Sequence, residues 1–495
     1  MSPKKFWKIL IANRGEIALR GIKACRKLGI KTVAIYSEVD GDCLHVKKAG
    51  EAVRLKGNYG HAYKDIEQII QIAKDKSCDA IFPGYGFASE EESFALACEE
   101  NGIIFIGPKS DSIRKMGNKS EARIIAKREG VPISRGTGRV IRLEDALDEI
   151  KSLSYPLKIM ADRGGGGLGT KVAYSESELE AKFLPAQQEG LSYGGDPNVS
   201  IVEFIPDIRH IEVQILGDGR GNVIHLGTRD CSVQRRWQKL IEETPARNLS
   251  KELIRAMQND AVKLAKAVNY RGAGTVEFMV FGNQYVFGEM NTRIQVEHPI
   301  TEMITGVDIV KEMILVAFGS LLRYRQEDIS FNGHSLECRI NAEDPDKNFM
   351  PDPGIITAYH PPRGFRVRVD SHLYKGYEVP YHYDSLVAKL IVWGKTREIT
   401  IRRMIRALSK FKIEGIKTTI PFHLKILESL EFRSGKYSTN LLENMQIKRP
   451  TLLPQENPEV ADVLSSPLLG VHGCFDDCDN YLMSPNEPYN KPLEI

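Results

Sequence analysis

The sequence predicts a mixed α/β and α+β protein with three folded regions and a C-terminal tail. Near the N-terminus, continuous apolar runs alternate with segments of helical periodicity, as in a parallel α/β domain. The middle of the chain combines long amphipathic helices with β-rich stretches, and beyond residue 444 the composition drifts to Pro, Asn and Asp. The predicted bounds are 1–115, 116–332 and 333–446 for the folded regions and 447–495 for the tail.

The first region begins with a strand, a helix and a second strand. Lys8–Asn13 is a continuous apolar run, Glu16–Leu28 carries apolar residues at helical spacing, and Thr32–Tyr36 is again strand-like. Such a βαβ unit predicts a parallel sheet. The first turn reads ANRGE and contains no GxGxxG, which argues against an ordinary dinucleotide site. The same alternation of helix and strand continues at Ile66–Ile72, Asp79–Phe82, Glu90–Asn101 and Ile103–Ile106.

The second and third regions mix helices with antiparallel strands. Lys251–Val268 has the pattern of an amphipathic helix, and His210–Asp218 that of a strand. Gly274–Asn291 carries Gly282-Asn283 between two alternating runs, which predicts a β-hairpin. The third region combines strands with a predicted helix at Glu398–Lys410 and with Pro and Gly at the turns.

Composition and charge exclude several classes of protein. The 495 residues carry 68 Lys and Arg against 65 Asp and Glu, and a net charge of +3 is not typical of nucleic-acid or membrane-surface binding. No stretch of the sequence approaches the roughly 20 apolar residues that span a bilayer. The eight cysteines are scattered along a large chain, which fits a reducing compartment. We therefore expect a cytoplasmic protein that binds neither nucleic acid nor membrane.

A run of four glycines, Gly164–Gly167, follows an apolar strand in the stretch YPLKIMADRGGGGLGTKV. Without Cβ atoms, backbone N–H groups can close over phosphate oxygens. A flexible hairpin tip explains the same glycines equally well. The loop alone therefore leaves nucleotide binding open.

A candidate metal site lies on the two arms of the predicted hairpin. Glu289 and Asn291 are two residues apart and share one strand face, and Glu277 faces them across the turn. Two carboxylates and an amide oxygen suit Mg²⁺ that carries nucleotide phosphates, although a solvated polar face has the same pattern. Just beyond, Arg293 and Glu297 offer a planar donor for a small oxyanion and a carboxylate base.

Six stretches of the sequence point to a known family. They read ILIANRGEIALR, FPGYGF, RDCSVQRRWQKLIEE, GEMNTRIQVEHPITEMITGVD, LECRINAEDP and YHYDSLVAKLIVWG, and they extend in order from about residue 6 to residue 444. The chain resembles biotin carboxylase, an ATP-grasp enzyme that is a subunit or domain of acetyl-CoA, propionyl-CoA and pyruvate carboxylases. The resemblance implies an ATP-grasp fold with an N-terminal parallel α/β domain, a C-terminal biotin-carboxylase domain and a mobile lid over about residues 134–206.

The resemblance also implies a reaction and a set of site residues. The family forms carboxyphosphate from bicarbonate and ATP and transfers the carboxyl group to N1′ of biotin. The implied ligands of Mg²⁺, or of Mn²⁺ in its place, are Glu277, Glu289 and Asn291. The implied ATP-binding residues are Lys119, Gly164, Gly165, Gly166, Gly167, His210 and Gln234. The implied bicarbonate site consists of Lys239, Arg293, Gln295 and the backbone of Val296, with Glu297 as base, Arg339 stabilising the biotin enolate and Tyr85 on the biotin side.

The stretch around the nucleotide departs from the family pattern at several positions. The family has a phosphate-binding lysine, a small residue before the glycines, an arginine after them, a Glu-Lys pair at the adenine hinge, a histidine between Arg236 and Gln238, and MGDK instead of MGNK. In this chain, Met160 stands in place of the lysine, Arg163 in place of the small residue and Leu168 in place of the arginine. Val202 and Glu203 stand at the hinge, Trp237 in place of the histidine, and Asn118 in place of the aspartate of MGDK.

Three of these departures have a compensation that the sequence allows. Lys158 lies two residues before Met160 on the same strand face, about 6.5 Å away, and its long stem can bring the amine back toward phosphate. Arg163 can act in the same way from the loop. A one-residue shift lets Glu203 occupy the place of the hinge glutamate, and Trp237 can stack on ribose or adenine. We therefore add Lys158, Glu203 and Trp237 to the expected ATP-binding residues.

Two functions from different classes remain after this comparison. The first is an active biotin carboxylase with a modified ATP pocket. It is favoured because the catalytic core is complete, with Lys239, Glu277, Glu289, Arg293, Glu297 and Arg339 all present. The second is a weakly active or inactive relative with a structural or regulatory role in a carboxylase complex.

The sequence also indicates partners. It contains no Met-Lys-Met biotinylation site and no carboxyltransferase-like region, so we expect a separate biotin carboxyl carrier protein and a carboxyltransferase subunit. The family commonly forms homodimers, which we expect here, although Lys23 and Lys27 repeat a charge where the family often pairs opposite ones. In the tail, His472, Cys474 and Cys478 are too few for a complete zinc ligand set, so metal binding there is disfavoured.

Overall fold

The computed structural model describes residues 8–162 and 169–445. The four glycines Gly164–Gly167, together with Arg163 and Leu168, therefore lie outside the described residues. The same is true of the tail residues His472, Cys474 and Cys478. Within the described ranges, no helix is long and apolar enough to cross a membrane.

A five-stranded parallel sheet forms the N-terminal part of the fold, as the βαβ pattern predicts. Its elements, with the two helices that follow, are β1 (Lys8–Ile11), α1 (Gly15–Lys27), β2 (Lys31–Tyr36), α2 (Leu44–Lys48), β3 (Glu51–Arg54), α3 (Tyr59–Ala62), α4 (Ile66–Asp75), β4 (Ala80–Phe82), α5 (Glu92–Glu100), β5 (Ile104–Phe105), α6 (Ser110–Gly117) and α7 (Lys119–Arg128). The strand order is β3-β2-β1-β4-β5. At the carboxyl ends of β1 and β4, the Asn13 amide donates to the carbonyls of Pro83 at 2.6 Å and Tyr85 at 2.8 Å, which fixes the loop that carries Tyr85.

A small antiparallel sheet comes next and contains the strand that precedes the glycines. Its elements are α8 (Leu147–Ile150), β6 (Leu157–Ala161), β7 (Thr170–Ala173), α9 (Glu176–Gly194) and β8 (Val199–Glu203), with strand order β7-β6-β8. Leu157 and Ile159 are buried in the core that α9 covers, whereas Lys158 and Met160 are partly exposed on the other face. The alternation confirms that Lys158 and Met160 share one face of β6.

The largest sheet has eight antiparallel strands and carries most of the candidate site. Its first strands and their helices are β9 (Arg209–Asp218), β10 (Val223–Arg235), β11 (Gln238–Thr244), α10 (Lys251–Ala267), β12 (Arg271–Phe281), β13 (Gln284–Asn291), α11 (His298–Thr305) and α12 (Ile309–Ala317). The C-terminal part contributes β14 (His334–Asn341), β15 (Glu343–Asp344), β16 (Met350–Pro351), β17 (Gly354–Ile355), β18 (Ala358–His360), β19 (Val367–Ser371), β20 (Glu378–Val379), β21 (Leu386–Gly394), α13 (Arg397–Leu408), β22 (Lys412–Glu414), α14 (Ile420–Glu428), α15 (Leu430–Ser434) and α16 (Leu441–Asn444). The strand order is β13-β12-β9-β10-β11-β14-β21-β19. Strands from the second and the third predicted region therefore belong to one sheet, on both sides of the predicted boundary between residues 332 and 333. The domain bounds therefore remain a prediction.

Two hairpins of this sheet point side chains toward the site. The hairpin predicted at Gly274–Asn291 is confirmed, because β12 and β13 are joined by the two residues after Phe281, with Gly282 at φ +56°. The second hairpin joins β10 to β11 through Arg236 and Trp237, whose φ angles are +48° and +67°. The helices predicted at Lys251–Val268 and Glu398–Lys410 are observed as α10 and α13, with ends that differ by one or two residues.

Candidate active site

The predicted metal residues lie together on one face of the β12–β13 hairpin. Glu277 is directly opposite Glu289 in the strand register, and the Asn291 amide donates to Glu277 Oε1 at 2.8 Å. Within residues 8–162 and 169–445, no hydrogen bond or ion pair reaches the Glu289 carboxylate. Burial and the facing charge of Glu277 raise the pKa of Glu289. Two repelling carboxylates with one of them unpartnered fit a divalent cation such as Mg²⁺.

Lys239 connects the metal face to the predicted base. Its ammonium contacts Glu212, Glu277 Oε1 at 3.0 Å and Glu297 Oε1 at 2.9 Å, and all three carboxylates are nearly or fully buried. Burial alone would lower the pKa of Lys239, but the three carboxylates outweigh it and raise the pKa well above its usual range. Lys239 is therefore charged at any pH at which the protein is assayed.

Glu297 lies between two cations. Its Oε1 accepts from Lys239, and its Oε2 accepts from Arg339 Nη2 at 3.0 Å. Burial raises the pKa of Glu297, but Lys239 and Arg339 outweigh it and hold the pKa well below its usual range. Arg339 also donates through Nε to Glu242 at 2.5 Å. The carboxylate of Glu297 is therefore ionised and held at both oxygens.

The other residues predicted to bind bicarbonate surround this carboxylate. Arg293 donates to Glu90 at 2.7 Å and to Asn291 Oδ1 at 3.0 Å. Gln295 donates to Glu277 at 2.9 Å. The Val296 carbonyl accepts from Lys389 Nζ at 2.7 Å. These residues thus belong to hydrogen-bond networks that meet at Glu277 or flank Glu297.

Tyr85 lies on the side of the site where β14 and β21 pair. Its hydroxyl donates to Glu16, and Glu16 also accepts from Lys389 at 2.9 Å. Lys389 Nζ lies 5.8 Å from the centre of the Tyr85 ring and pairs in register with Arg339. Tyr85 and Arg339 therefore flank one lysine.

The predicted nucleotide residues approach the metal face from two directions. From β9, His210 Nε2 lies 2.9 Å from Glu277 Oε2, while its Nδ1 lies 2.8 Å from the amide of Gln234 on β10. Burial lowers the pKa of His210, but Glu277 outweighs it and the net shift is upward. From the other side, the charges of Lys119 and Glu289 both act on the Lys158 ammonium, which lies 5.8 Å from the Trp237 ring.

Glu203 does not reach this cleft, which corrects the expectation that it binds nucleotide. In the β6–β8 register Lys158 pairs with Val202, so Val202 shares the cleft face and Glu203 points to the other one. Its carboxylate accepts from the Ser154 N–H at 3.0 Å and pairs with Arg135. The one-residue shift that the sequence allowed does not occur. The glycines Gly164–Gly167 lie outside the described residues.

Several charged residues of the site were missed by the sequence reasoning. The fully buried Arg229 donates to Glu212 at 2.9 Å and to Gln214 at 2.6 Å and also bonds Gln295, so it anchors the floor of the site. A signal was present, because His210, Glu212 and Gln214 alternate with apolar residues and place a polar stripe on one face of β9. No comparable local pattern marks Glu90, Glu242, Glu16 or Lys389.

Three family models match the chain in sequence order. The biotin carboxylase N-terminal domain matches residues 5–113, the carbamoyl-phosphate synthase L chain ATP binding domain matches residues 118–325, and the biotin carboxylase C-terminal domain matches residues 337–444. Biotin carboxylase 1 of Bacillus subtilis (strain 168) is 53% identical over 444 residues, which cover 89% of this chain and 99% of that protein. The chain belongs to the biotin carboxylase family.

Other members of the biotin carboxylase family agree in sequence and in fold. The 2-oxoglutarate carboxylase small subunit of Hydrogenobacter thermophilus is 48% identical over 441 residues, which cover 88% of this chain and 93% of that protein. The biotin carboxylase domain dimer of the 2-oxoglutarate carboxylase from the same organism was solved with MgADP, ADP and bicarbonate. It is 48% identical with a TM-score of 0.87, covering 89% of this chain and 98% of that chain. The ATP-grasp fold is therefore confirmed.

Proposed function

We propose that this chain is a biotin carboxylase that uses MgATP and bicarbonate to carboxylate N1′ of biotin on a separate carrier protein. Bicarbonate attacks the γ-phosphorus of ATP and releases ADP, forming carboxyphosphate. Carboxyphosphate then gives up phosphate, which takes the N1′ proton of biotin, and the carboxyl group passes to that nitrogen. Family membership and the complete Lys239, Arg293, Glu297 and Arg339 set support this reaction.

The observation that carries the proposal is the position of Glu297 between Lys239 and Arg339. An ionised, buried carboxylate held by two cations can take the bicarbonate proton once the anion draws those cations toward itself. Arg293, Gln295 and the backbone of Val296 then hold the anion in place. Because the site is already filled with oriented charges, little reorganisation accompanies the attack.

The nucleotide occupies the cleft between the small sheet and the β12–β13 hairpin in this proposal. Glu277, Glu289 and Asn291 hold Mg²⁺, or Mn²⁺ in its place, which neutralises phosphate charge when bound. Phosphate and base contacts come from Lys119, Lys158, Gly164–Gly167, His210, Gln234 and Trp237. The Glu289 carboxylate supports the metal assignment, because no hydrogen bond or ion pair reaches it from the residues that the structure describes.

Biotin binds on the opposite side of Glu297 from the metal in this proposal. Arg339 lies against Glu297 and offers a permanent positive charge to the ureido oxygen as the enolate forms. Tyr85 lines the same side, next to Lys389. Released phosphate serves as the base that takes the N1′ proton.

The assembly follows from the same assignment. We infer that the partners are a biotin carboxyl carrier protein and a carboxyltransferase subunit, that the chain forms a homodimer, and that its location is cytoplasmic. Two relatives are named as subunits of larger carboxylases, and one was solved as a domain dimer, which supports the inferred partners and the homodimer. No observation favours the alternative of an inactive structural relative.

The test is ADP release by the purified chain with MgATP and bicarbonate, with and without free biotin. We expect release that requires bicarbonate and rises when biotin is added. A chain that binds MgATP but releases no ADP under these conditions would contradict the proposal and favour the structural relative.

A further inference from the structure

Glu337 is a buried acidic residue that no step of the proposed reaction uses. It lies on β14, two residues before Arg339, so the two side chains share one face of the strand. The Glu337 side chain is fully buried, and among the residues that the structure describes neither oxygen of its carboxyl group has a hydrogen-bond partner. An ionised carboxylate in this place would lose its hydration without a compensating bond. The burial therefore favours the neutral, protonated acid.

Glu242 faces Glu337 across the β11–β14 pair. The two residues are directly opposite in the strand register, where Cβ atoms on one face are about 4.5–5.5 Å apart. Glu242 is also fully buried, and its Oε2 has no hydrogen-bond partner in the described parts of the chain. A protonated Glu337 has one O–H group to donate, and the Oε2 of Glu242 is a free acceptor on the facing residue.

The charges around the two acids favour one proton between them. Burial raises the pKa of Glu337 well above its usual range, and the charge of Glu242 adds to the rise, while Lys389 and Arg339 oppose it. Burial also raises the pKa of Glu242 to about 7, although Arg339 opposes that rise. Two facing carboxyl groups in a buried site cannot both ionise without strong repulsion.

The other elements packed against β14 bring few further charges to this face. The groups that act on Glu337 besides Glu242 are Lys389 on β21, Glu297 before α11, Tyr85, and Arg339 on its own strand. Lys389 already pairs with Glu16 at 2.9 Å, and it acts in turn on His298 at the start of α11. From α13, Arg397 reaches the opposite face of the sheet, where it pairs with Glu243 at 2.7 Å.

Arg339 binds Glu242 through one N–H group and one oxygen. Its Nε donates to Glu242 Oε1 at 2.5 Å, while its Nη2 donates to Glu297 at 3.0 Å. An arginine and a carboxylate often form two parallel hydrogen bonds, which fix the guanidinium more firmly. A proton from Glu337 on the second oxygen of Glu242 blocks the second of these bonds. The guanidinium then keeps N–H groups for a ligand.

We propose that Glu337 is a positioning residue for carboxyl transfer: as a neutral acid it donates to Glu242, and this keeps Arg339 from being held by both oxygens of that carboxylate. The inference rests on the proposed function, since it takes Arg339 as the group that meets the ureido oxygen of biotin. It adds that two buried acids with one proton between them set how freely Arg339 turns to biotin. Glu337 acts through Glu242 and Arg339 and not on biotin itself.

Two substitutions at position 337 test this role in the reaction with free biotin. Glu337→Gln keeps the shape and one donor, so its amide replaces the acid as the donor to Glu242 and kcat/KM for biotin should stay within about threefold. Glu337→Leu removes the donor. A lost hydrogen bond to a charged group corresponds to about 10- to 100-fold, so kcat/KM for biotin should fall by that factor.

Two controls accompany these variants. The Kd of MgADP should stay within about twofold in both, because Glu337 contacts none of the residues assigned to the nucleotide. Glu343→Gln changes another buried glutamate, which bonds Asn341 and Ser385, and should leave kcat/KM for biotin within about twofold. A Glu337→Leu variant with unchanged kcat/KM would overturn the inference, and so would a Glu337→Gln variant that loses 10-fold or more.

Infrared spectroscopy tests the proton without turnover. The carbonyl stretch of a protonated carboxyl group is separated from the bands of a carboxylate, so the difference spectrum between the unaltered chain and Glu337→Gln reports the state of the pair. At neutral pH we expect the variant to lose one protonated carboxyl band. Loss of a carboxylate band instead would show that both acids are ionised and would overturn the inference, whether or not Glu337→Leu folds.

The proposed function and this inference fail separately. A chain that shows the protonated band but carboxylates no biotin contradicts the carboxylase function and leaves the shared proton in place. A chain that carboxylates biotin and holds Glu337 as a carboxylate contradicts only the inference.

Discussion

Substitution of Glu297 by Gln removes the predicted base and keeps its shape. The carboxylate now accepts from Lys239 Nζ at 2.9 Å and from Arg339 Nη2 at 3.0 Å, whereas an amide has only one oxygen for the two donors. One of the two cations must then face an N–H group. The variant therefore loses one charge-assisted hydrogen bond, which corresponds to about 1.5–3 kcal/mol. Lys239 keeps its ion pairs with Glu212 and Glu277.

The effect on the reaction should exceed this loss. A positioned general base contributes about 10²- to 10⁴-fold, which corresponds to about 2.7–5.5 kcal/mol in the barrier. We expect kcat for bicarbonate-dependent ADP release to fall by that factor in Glu297→Gln. The dissociation constant of MgADP should stay within about twofold, because the contacts of Glu297 are Lys239 and Arg339 and not the residues assigned to nucleotide.

The assay compares kcat, MgADP affinity and thermal stability in the variant and in Glu414→Gln. Glu414 is an exposed glutamate paired with Lys412 and serves as the matched control, with no expected change in kcat. A Glu297→Gln variant that stays folded and keeps kcat within about threefold of the unaltered chain would refute the assignment of Glu297 as base.

Three further predictions concern the metal, the pH dependence and the N-terminal fold. Glu289→Gln should raise the Mg²⁺ concentration for half-maximal ADP release by about 10-fold or more, since one anionic ligand is lost; an unchanged requirement would exclude Glu289 as a ligand. Burial and Lys119 lower the pKa of Lys158 to about 8, so its ammonium loses its charge as the pH rises through 8. MgADP affinity should therefore fall between pH 7 and 9, and a Lys158→Met variant should lose this dependence; equal slopes in both would contradict the role of Lys158. Burial raises the pKa of Asp40, but the charge of Arg14 outweighs burial and lowers the pKa to about 2. The Arg14–Asp40 ion pair therefore stabilises the fold fully at pH values above the ordinary carboxyl pKa, and this stabilisation is lost as the pH falls toward 2. Asp40→Asn should cost about 3–5 kcal/mol in the free energy of unfolding at pH 7, measured by denaturant titration, and a loss below about 1 kcal/mol would show that the pair is dispensable.

The part of the site that the sequence predicts best is the hairpin of Glu277 and Glu289. Its residues follow the two-residue repeat of a strand, and a Gly-Asn turn fixes the register between the two arms. Each step is local, so no knowledge of distant parts of the chain is needed. The parallel orientation of the strands in the N-terminal sheet was predictable for the same reason, because each βαβ unit is continuous in sequence.

The expectation that Glu203 binds nucleotide was wrong because it depends on how two distant strands pair. A shift of one residue moves a side chain to the opposite face of a strand, and only the pairing of β8 with β6 decides between Val202 and Glu203. That pairing joins Lys158 to Val202, which are far apart in the chain. The sequence does not contain it in any short pattern.

The buried charges around Arg339 were unpredictable for a related reason. Arg339 receives Glu242 from β11 and Glu297 from the residue before α11, and its neighbour Lys389 comes from β21. Each residue alone has the pattern of an ordinary strand or loop charge. Their role becomes visible only when folding brings these four distant segments together.

This chain should carboxylate biotin although no lysine is present at position 160. The most direct measurement is the transfer of radiolabelled bicarbonate to free biotin by the purified chain with MgATP. We predict that acid-labile label on biotin forms together with ADP, and that the Glu297→Gln variant forms both products at least about 100-fold more slowly. ADP formation without labelled biotin, or bound MgATP with neither product, would contradict the biotin carboxylase activity.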